Sequence, residues 1–294
     1  DYRGWKESDP KKYAEFIRIC VDYDIETVRN RTDYLICLWD NNVLKGAGTH
    51  AEVTLAYESN KPVFLINKIV ADDVAEQSRQ VLGIIASEGV AIIPLDVAYA
   101  IVGNSKKSIE TIFKCKNRSF GKPSGMFSNY ELLKEIQIMD SWKHDLIKAV
   151  IFDNNLPMST VAPFKRDHPM FKNVDGWVLK NSTKTGTLDM LLNAGEFHNE
   201  MTKQSMELEM PVLGSSANTS LTGSKYNLDD IDLPVIKAAN ILIDGGTSKY
   251  KNEKGRSSTI IDFDNFETIR IGVCYDKIRK IFSKFGIELR EDIE

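Results

Sequence analysis

Hydrophobic and polar positions fall along this chain in blocks that read alternately as helices and strands. Near the start, Tyr13, Phe16, Ile17 and Cys20 recur at three- and four-residue spacing, which predicts an amphipathic helix over 11–22. Residues 33–39 (DYLICLW) form a short apolar run that reads as a buried strand. A helix over 48–57 and a second buried strand over 61–66 (KPVFLI) follow. Strands alternating with helices predict a parallel sheet. Two strands make a small, incomplete unit, and its boundary is expected near residue 70.

Beyond that boundary the pattern changes. Val74, Val81, Leu82 and Ile85 line one face of a helix expected over 71–88, stopped by Gly89. Strands are expected at 90–94 (VAIIP) and 97–102. Ser105 is placed to cap a helix over 106–116 that turns Ile109, Ile112 and Phe113 inward. Another helix is expected over 129–139. Further strands are predicted at 148–152, 175–180, 211–215, 241–244, 258–263 and 268–271, with a closing helix over 275–285. Many strands with few helices between them predict an α/β fold with a twisted, open, mixed sheet over 71–294. A small partial α/β unit over 1–70 precedes it.

Composition narrows the function classes. The chain has 294 residues, 42% hydrophobic and 27% charged, the balance of a soluble globular protein. Its 38 basic and 42 acidic residues give a net charge of −4. That argues against a broad electrostatic grip on nucleic acid and leaves room for a local basic cleft. No apolar run approaches a membrane span, and the first residues carry no signal-peptide pattern. Cys20, Cys37, Cys115 and Cys274 are scattered, as are His50, His144, His168 and His198. Neither set has metal or redox spacing, so a cytosolic protein with reduced thiols and no protein-held metal is expected.

Two polar elements carry the candidate chemistry. Lys116 and Arg118 end the helix over 106–116, and Lys122 lies in the following loop (SFGKPSG). Clustered cations beside flexible backbone suit phosphate oxygens, Arg offering a planar fork and Lys a compact charge. The same cluster also suits a solvated helix end that complements the helix dipole. Far downstream, the apolar strand 211–215 turns abruptly into Ser215, Ser216, Ala217, Asn218, Thr219 and Ser220. Such a strand end either presents hydroxyls and an amide to a ligand in the crevice of an open sheet, or forms a turn and helix cap.

The order of these motifs resembles that of the YrdC-like threonylcarbamoyl-adenylate synthase family. Its pattern is a strand ending in Pro-Thr, an aromatic residue, Lys-x-Arg, Ser-Ala-Asn-x-Ser, Ser-Thr before an apolar strand and Asp, and Arg-x-Gly. This chain has Pro94, Tyr99, Lys116, Arg118, Ser216-Ala217-Asn218-Thr219-Ser220, Ser258-Thr259-Ile260-Ile261-Asp262 and Arg270-Ile271-Gly272. The resemblance spans about residues 75–275. It implies a twisted open sheet around a positive cavity and the joining of threonine, bicarbonate and ATP into threonylcarbamoyl-adenylate. Pyrophosphate is released, and the product serves tRNA modification. By similarity, Lys116 and Arg118 would be catalytic and contact phosphates or the carbonate-derived group. Ser216, Asn218, Ser258 and Arg270 would bind the nucleotide, and Pro94 and Tyr99 would line the substrate pocket. Mg2+ would accompany ATP, with no protein carboxylate assigned to it. An RNA or a tRNA-modifying protein is an expected partner.

The chain departs from the pattern at Leu95, which replaces the Pro-Thr threonine, at Ala100 and at Leu221. Residues 156–160 (LPMST) stand where the family has Pro-Gly-Pro-x-Thr. A strand arginine is missing where 177–180 (WVLK) was aligned with it. These changes keep open a carbamoyl-adenylate chemistry with another acceptor, and a nucleotide- or RNA-binding module without catalysis.

In the first unit, Asp1-Tyr2-Arg3, Asp40-Asn41-Asn42, Gly48-Thr49-His50-Ala51-Glu52 and Lys61-Pro62-Val63 resemble part of a nucleoside 2-deoxyribosyltransferase-like domain. That resemblance implies Glu52 as a nucleophile. The same residues also fit a capping box between Thr49 and Glu52.

Overall fold

The computed structural model describes residues 4–39, 47–70, 73–119 and 123–291. The chain forms two compact units, Asp1–Val70 and Ala71–Glu294. The runs Asp1-Tyr2-Arg3 and Asp40-Asn41-Asn42, and Lys122, lie outside the described residues.

In the first unit a short helix α1 (Trp5–Ser8) leads into α2 (Pro10–Asn30). Asp9 starts α2, its side chain accepting from the Lys12 amide at 3.2 Å, with Pro10 in the first turn. The helix runs well past the expected end at 22. Strands β1 (Leu35–Trp39) and β2 (Val63–Val70) pair in parallel, joined through α3 (Ala47–Glu58). The β–α–β reading of this unit therefore stands.

In the second unit, α4 (Val74–Ala86) is capped by Asp73, whose side chain accepts from the amides of Ala75 and Glu76. Strands β3 (Ala91–Ile93) and β4 (Ala100–Gly103) are antiparallel. Helix α5 (Lys106–Cys115) begins with a capping box between Ser105 and Ser108. Next come β5 (Gly125–Phe127), α6 (Tyr130–Ile136), α7 (Ser141–Lys148), β6 (Met158–Pro163), α8 (Gly176–Ser182) and β7 (Thr183–Lys184). Then follow β8 (Thr187–Leu192), α9 (Glu196–Glu207), β9 (Val212–Ser216), α10 (Leu233–Ile236) and β10 (Ile241–Asp244). The unit closes with β11 (Ile260–Asp262), β12 (Glu267–Arg270), α11 (Tyr275–Lys284) and β13 (Arg290–Glu291). In space the strands run β10-β3-β4-β9-β5-β8-β6-β11-β12-β13, with β7 beside β8. Parallel and antiparallel pairs alternate irregularly, so the sheet is mixed as predicted.

The register assigns each residue to a face, because side chains alternate along a strand and directly paired residues share a side. Ile92, Ile101, Leu213, Met126, Met190 and Ile261 point to one face, where α5, α6, α7, α8 and α11 pack on them. The opposite face carries Ile93, Ala100, Val212, Phe127 and Leu191 under α4 and α9, which contribute Val81, Leu82, Ile85, Phe197 and Met201. This second layer covers only part of its face. One pleat further along each strand, the same side shows Gly214, Gly125, Asp189 and Ser159 instead.

Two expected strands are helical. Residues 148–152 continue α7 into a π-helical turn, Ala149–Asp153, that buries Val150 and Ile151. Residues 175–180 enter α8, started by Asp175, whose side chain accepts from the Trp177 amide at 2.7 Å. A three- or four-residue apolar run does not distinguish a buried strand from a buried helical turn. The strand preceding α9 and β9 is β8, and it carries no basic residue. The position sought for a strand arginine thus belongs on β8, not on 177–180.

Candidate functional site

Helix α5 ends at Lys116, which caps it and is 1% exposed. Its ammonium donates to the backbone carbonyl of Ser216, to that of Asn218 at 2.7 Å, and to Asn218 Oδ1 at 3.5 Å. The Lys116 carbonyl accepts from the Ser220 amide at 2.8 Å. Ser216 Oγ donates to Asn218 Oδ1, and the Asn218 amide group donates to the Thr219 carbonyl at 2.6 Å. Asp232 steadies the far side, accepting from the Thr219 amide at 2.8 Å. Lys116 is therefore built into the turn that follows β9. Burial, and then the neighbouring Arg118 charge, push its pKa down to about 7.

Arg118 follows through a left-handed Asn117 (φ 49°). Its Nη2 donates to the Pro123 carbonyl at 2.7 Å, and its guanidinium lies 5.8 Å from the Phe113 ring centroid. From β12, Arg270 donates through Nε to the Ser258 carbonyl and through Nη2 to Ser258 Oγ, both at 2.9 Å. Arg270 is open to solvent, yet the surrounding walls desolvate its charge and lower its pKa. The Arg118 pKa is lowered by burial and then by the charge of Arg270. Ser258 Oγ lies 3.3 Å from Ser159 Oγ of β6.

Asp189 of β8 stands among these groups. Burial raises its pKa, against the opposing pull of Arg270, the Ser159 hydroxyl and Arg118. Gly125 makes room for it: a Cβ there would lie 3.2 Å from Asp189 Oδ2. Hydrogen bonds thus join Lys116, Ser216 and Asn218 in one polar group and Arg270, Ser258 and Ser159 in another, and the Arg118 charge acts on Lys116 and is acted on by Arg270. Two contributors escaped sequence reading, Asp189 and Ser159. The signal for Asp189 was present: in 187–192 (TLDMLL) Thr187 and Asp189 alternate with Leu188 and Met190, a half-buried strand pattern.

The other expected positions lie elsewhere. Tyr99 is fully buried in the core, and its hydroxyl donates to Asp244 Oδ1 (3.1 Å) and the Gly246 carbonyl (2.8 Å) while accepting from the Gly245 amide (3.0 Å). Its side chain braces the turn after β10, and its backbone carbonyl accepts from the Ala217 amide at 2.8 Å. Pro94 packs against Gly245 and lines a cavity of about 280 Å3 with Leu95, Asp96 and Lys249. An adjoining cavity of about 820 Å3 is lined by Asp73, Asp96, Glu196 and Glu200, an acidic rim unsuited to phosphate. Glu52 sits in the second turn of α3, which begins at Ala47, so Thr49 is inside the helix and no capping box starts there. Burial and then Asp24 raise the Glu52 pKa. Among the described residues no group of three or more His, Cys, Asp or Glu is placed to hold a metal ion, and no helix is long and apolar enough to cross a membrane.

Comparison with known proteins identifies the fold. The structure resembles P. abyssi Sua5 complexed with L-threonine, with a TM-score of 0.57 at 19% identity. That match covers 74% of this chain and 59% of Sua5, so the chain spans less than two thirds of the Sua5 length. It also resembles the hypothetical protein smu.1377c from Streptococcus mutans UA159 (TM-score 0.62, 19% identity, 74% of this chain and 95% of that one). E. coli YciO matches with a TM-score of 0.52 at 21% identity over 68% of this chain and 90% of its own. No match was found among curated proteins. The family profile described as Sua5/YciO/YrdC, telomere recombination, matches residues 83–272. That span leaves 1–70 outside, and the deoxyribosyltransferase-like reading of that segment gains no support from it. With the Lys-x-Arg, Ser-x-Asn, Ser258 and Arg270 positions inside a match covering more than half of the sequence, this chain belongs to the Sua5/YciO/YrdC family.

Proposed function

We propose that this protein uses ATP to form a carbamoyl-type adenylate with release of pyrophosphate. Threonylcarbamoyl-adenylate, destined for tRNA modification, is the product that the YrdC-like resemblance implies. The observation that carries the reading is the gathering of cations around small polar groups: Lys116 holds the Asn218 turn, Arg270 holds Ser258, and Arg118 lies in the field of Arg270. Two guanidinium groups within each other's field repel, and an anion between them relieves that repulsion. In the reaction they would hold phosphate oxygens and stabilise the charge developing on the transferred phosphoryl group. Ser216, Asn218 and Ser258 would orient the nucleotide. Lys116 would act from behind, keeping the turn in shape. Mg2+ would arrive on the phosphates of ATP, since the described residues offer no carboxylate cluster for it.

Threonine is the first acceptor to test, because a family member, P. abyssi Sua5, has been crystallised with it. A specific observation favours a second acceptor. Leu95 is 6% exposed and packs in the apolar cluster beneath α4 and α9, so this strand end offers no hydroxyl. Loss of one hydrogen-bonding partner is enough to change which small molecule a site accepts.

Incubation with ATP, Mg2+ and bicarbonate, with threonine or other amino acids, tests both readings. Pyrophosphate release that requires bicarbonate and an acceptor, with the adenylate seen by mass spectrometry, is expected. Release indifferent to threonine removes threonine; no release with any acceptor removes the enzymatic reading.

A further inference from the structure

The arginine pair has an unusual neighbour for an anion site. The Asp189 carboxylate lies in the fields of Arg270 and Arg118, and its Oδ1 is buried without a hydrogen-bond donor among the described residues. A buried acceptor left unmatched is costly, so a donor from a ligand would be favoured there. The carboxylate torsion of Asp is broad and roughly two-fold, so a half-turn exchanges the two oxygens. The residue as a whole is half-buried.

We infer that Asp189 is a specificity-determining residue that makes the arginine pair select oxyanions still carrying a proton. Two oxygens of such an anion accept from Arg118 and Arg270, and its remaining O–H donates to Asp189. Hydrogen carbonate and monoprotonated phosphate both offer at least two acceptor oxygens and one donor; sulfate has no proton to give at neutral pH. Sulfate brings its charge against the carboxylate with nothing to bridge them, and like charges placed together lose affinity. The groups facing Asp189 from other elements are Arg118 after α5, Arg270 on β12, Ser159 on β6 and the Gly125 backbone on β5. None of them supplies a donor to Oδ1. The inference rests on the anion-binding part of the proposed function and adds which anion is admitted.

The test is calorimetric titration of the full chain with bicarbonate, inorganic phosphate and sulfate at pH 7.5, for the wild type and Asp189→Asn. Wild type should prefer bicarbonate or phosphate over sulfate by roughly tenfold to a hundredfold, the span of one lost hydrogen bond to a charged group. Asparagine keeps the shape and offers its own N–H, so Asp189→Asn should gain sulfate affinity and lose most of that preference. A preference for phosphate alone identifies phosphate as the selected anion, and one for bicarbonate alone identifies the carbonate substrate. Equal binding of sulfate in the wild type, or no binding of any of the three, overturns the inference whether or not the variant folds. An unchanged preference in a folded Asp189→Asn overturns it as well. Adenylate formation reads out separately: turnover without discrimination refutes this assignment alone, and discrimination without turnover refutes the enzymatic reading alone.

Discussion

Two neighbouring stretches of one sheet face serve opposite purposes. Phe127, Leu191 and Val212 lie on β5, β8 and β9 beneath α4 and α9 and are closed from solvent. Two residues away on β5 and β8, Gly125 and Asp189 occupy the same side and are only half-buried. The pleat guarantees that both sets face the same way, so what separates core from site is where the helical layer stops. A residue pair such as Asp189 and Leu191 thus divides charge from packing within a single strand. Substitutions in the covered stretch should act on stability, and substitutions in the bare stretch on ligand binding.

The largest effect should come from the covered side. Phe127 is 4% exposed and packs in the cluster beneath α9. Phe127→Ala should cost about 3–5 kcal/mol in chemical denaturation, the usual range for removing a buried ring. Anion affinity of the remaining folded protein should be nearly unchanged. A mutant that kept its stability would break the comparison at its stronger end.

His198 should make the covered side sensitive to acid. The imidazole is fully buried, stacked obliquely on Phe127 at 6.0 Å between centroids, with no partner for Nε2 among the described residues. Burial pushes its pKa down to about 4 from an ordinary 6.5. Between these values the unfolded chain holds a proton that the folded protein excludes. Stability is therefore complete above pH 6.5 and falls as pH drops towards 4, by up to about 3 kcal/mol at about 1.4 kcal/mol per pH unit. His198→Leu should flatten that slope in denaturation curves measured from pH 4 to 7; an unaltered slope would assign the acid sensitivity to other groups.

The legible part of the site and the illegible part differ for the same structural reason. Lys116, Arg118, Ser216, Asn218, Ser258 and Arg270 sit at element ends, where a switch from apolar to polar is visible in the sequence. Helix α5 was readable because Ser105 caps it and Ile109, Ile112 and Phe113 keep helical spacing. Asp189 sits inside a strand whose covered half, Leu191 and Leu192, looks like uniform core, so its alternation was short and easily missed. Tyr99 has two surroundings: its backbone reaches the β9 turn, while its ring packs in the opposite layer. Residues 148–152 and 175–180 are apolar in runs too short to show a period, and only tertiary packing makes them helical.

Within the bare stretch, Lys116 and Arg270 should separate. Arg270→Ala should weaken ATP binding roughly tenfold to a hundredfold, the span of a lost hydrogen bond to a charged group, with little change in stability. Lys116→Met leaves the carbonyls of Ser216 and Asn218 without their buried donor, and should cost about 1–3 kcal/mol of stability in addition to affinity. Equal stability in the two variants would mean that Lys116 contacts ligand and does not hold the turn.

The finest test adds a single methyl group at the border between the two stretches. Gly125 has an ordinary backbone conformation, so alanine there meets no conformational penalty; its Cβ would lie 3.2 Å from Asp189 Oδ2 and 3.3 Å from Cγ. That is close enough to push the carboxylate by a few tenths of an ångström while leaving the core untouched. Gly125→Ala should therefore change stability by less than about 1 kcal/mol, the scale of a Gly-to-Ala exchange within a strand. It should nevertheless reduce the preference for protonated oxyanions over sulfate, because the anion and the displaced carboxylate no longer share one geometry. An unchanged preference would mean that the position of Asp189 is not critical to anion choice. A large loss of stability would mean that the cover of α4 and α9 reaches further along the sheet than its apolar cluster indicates.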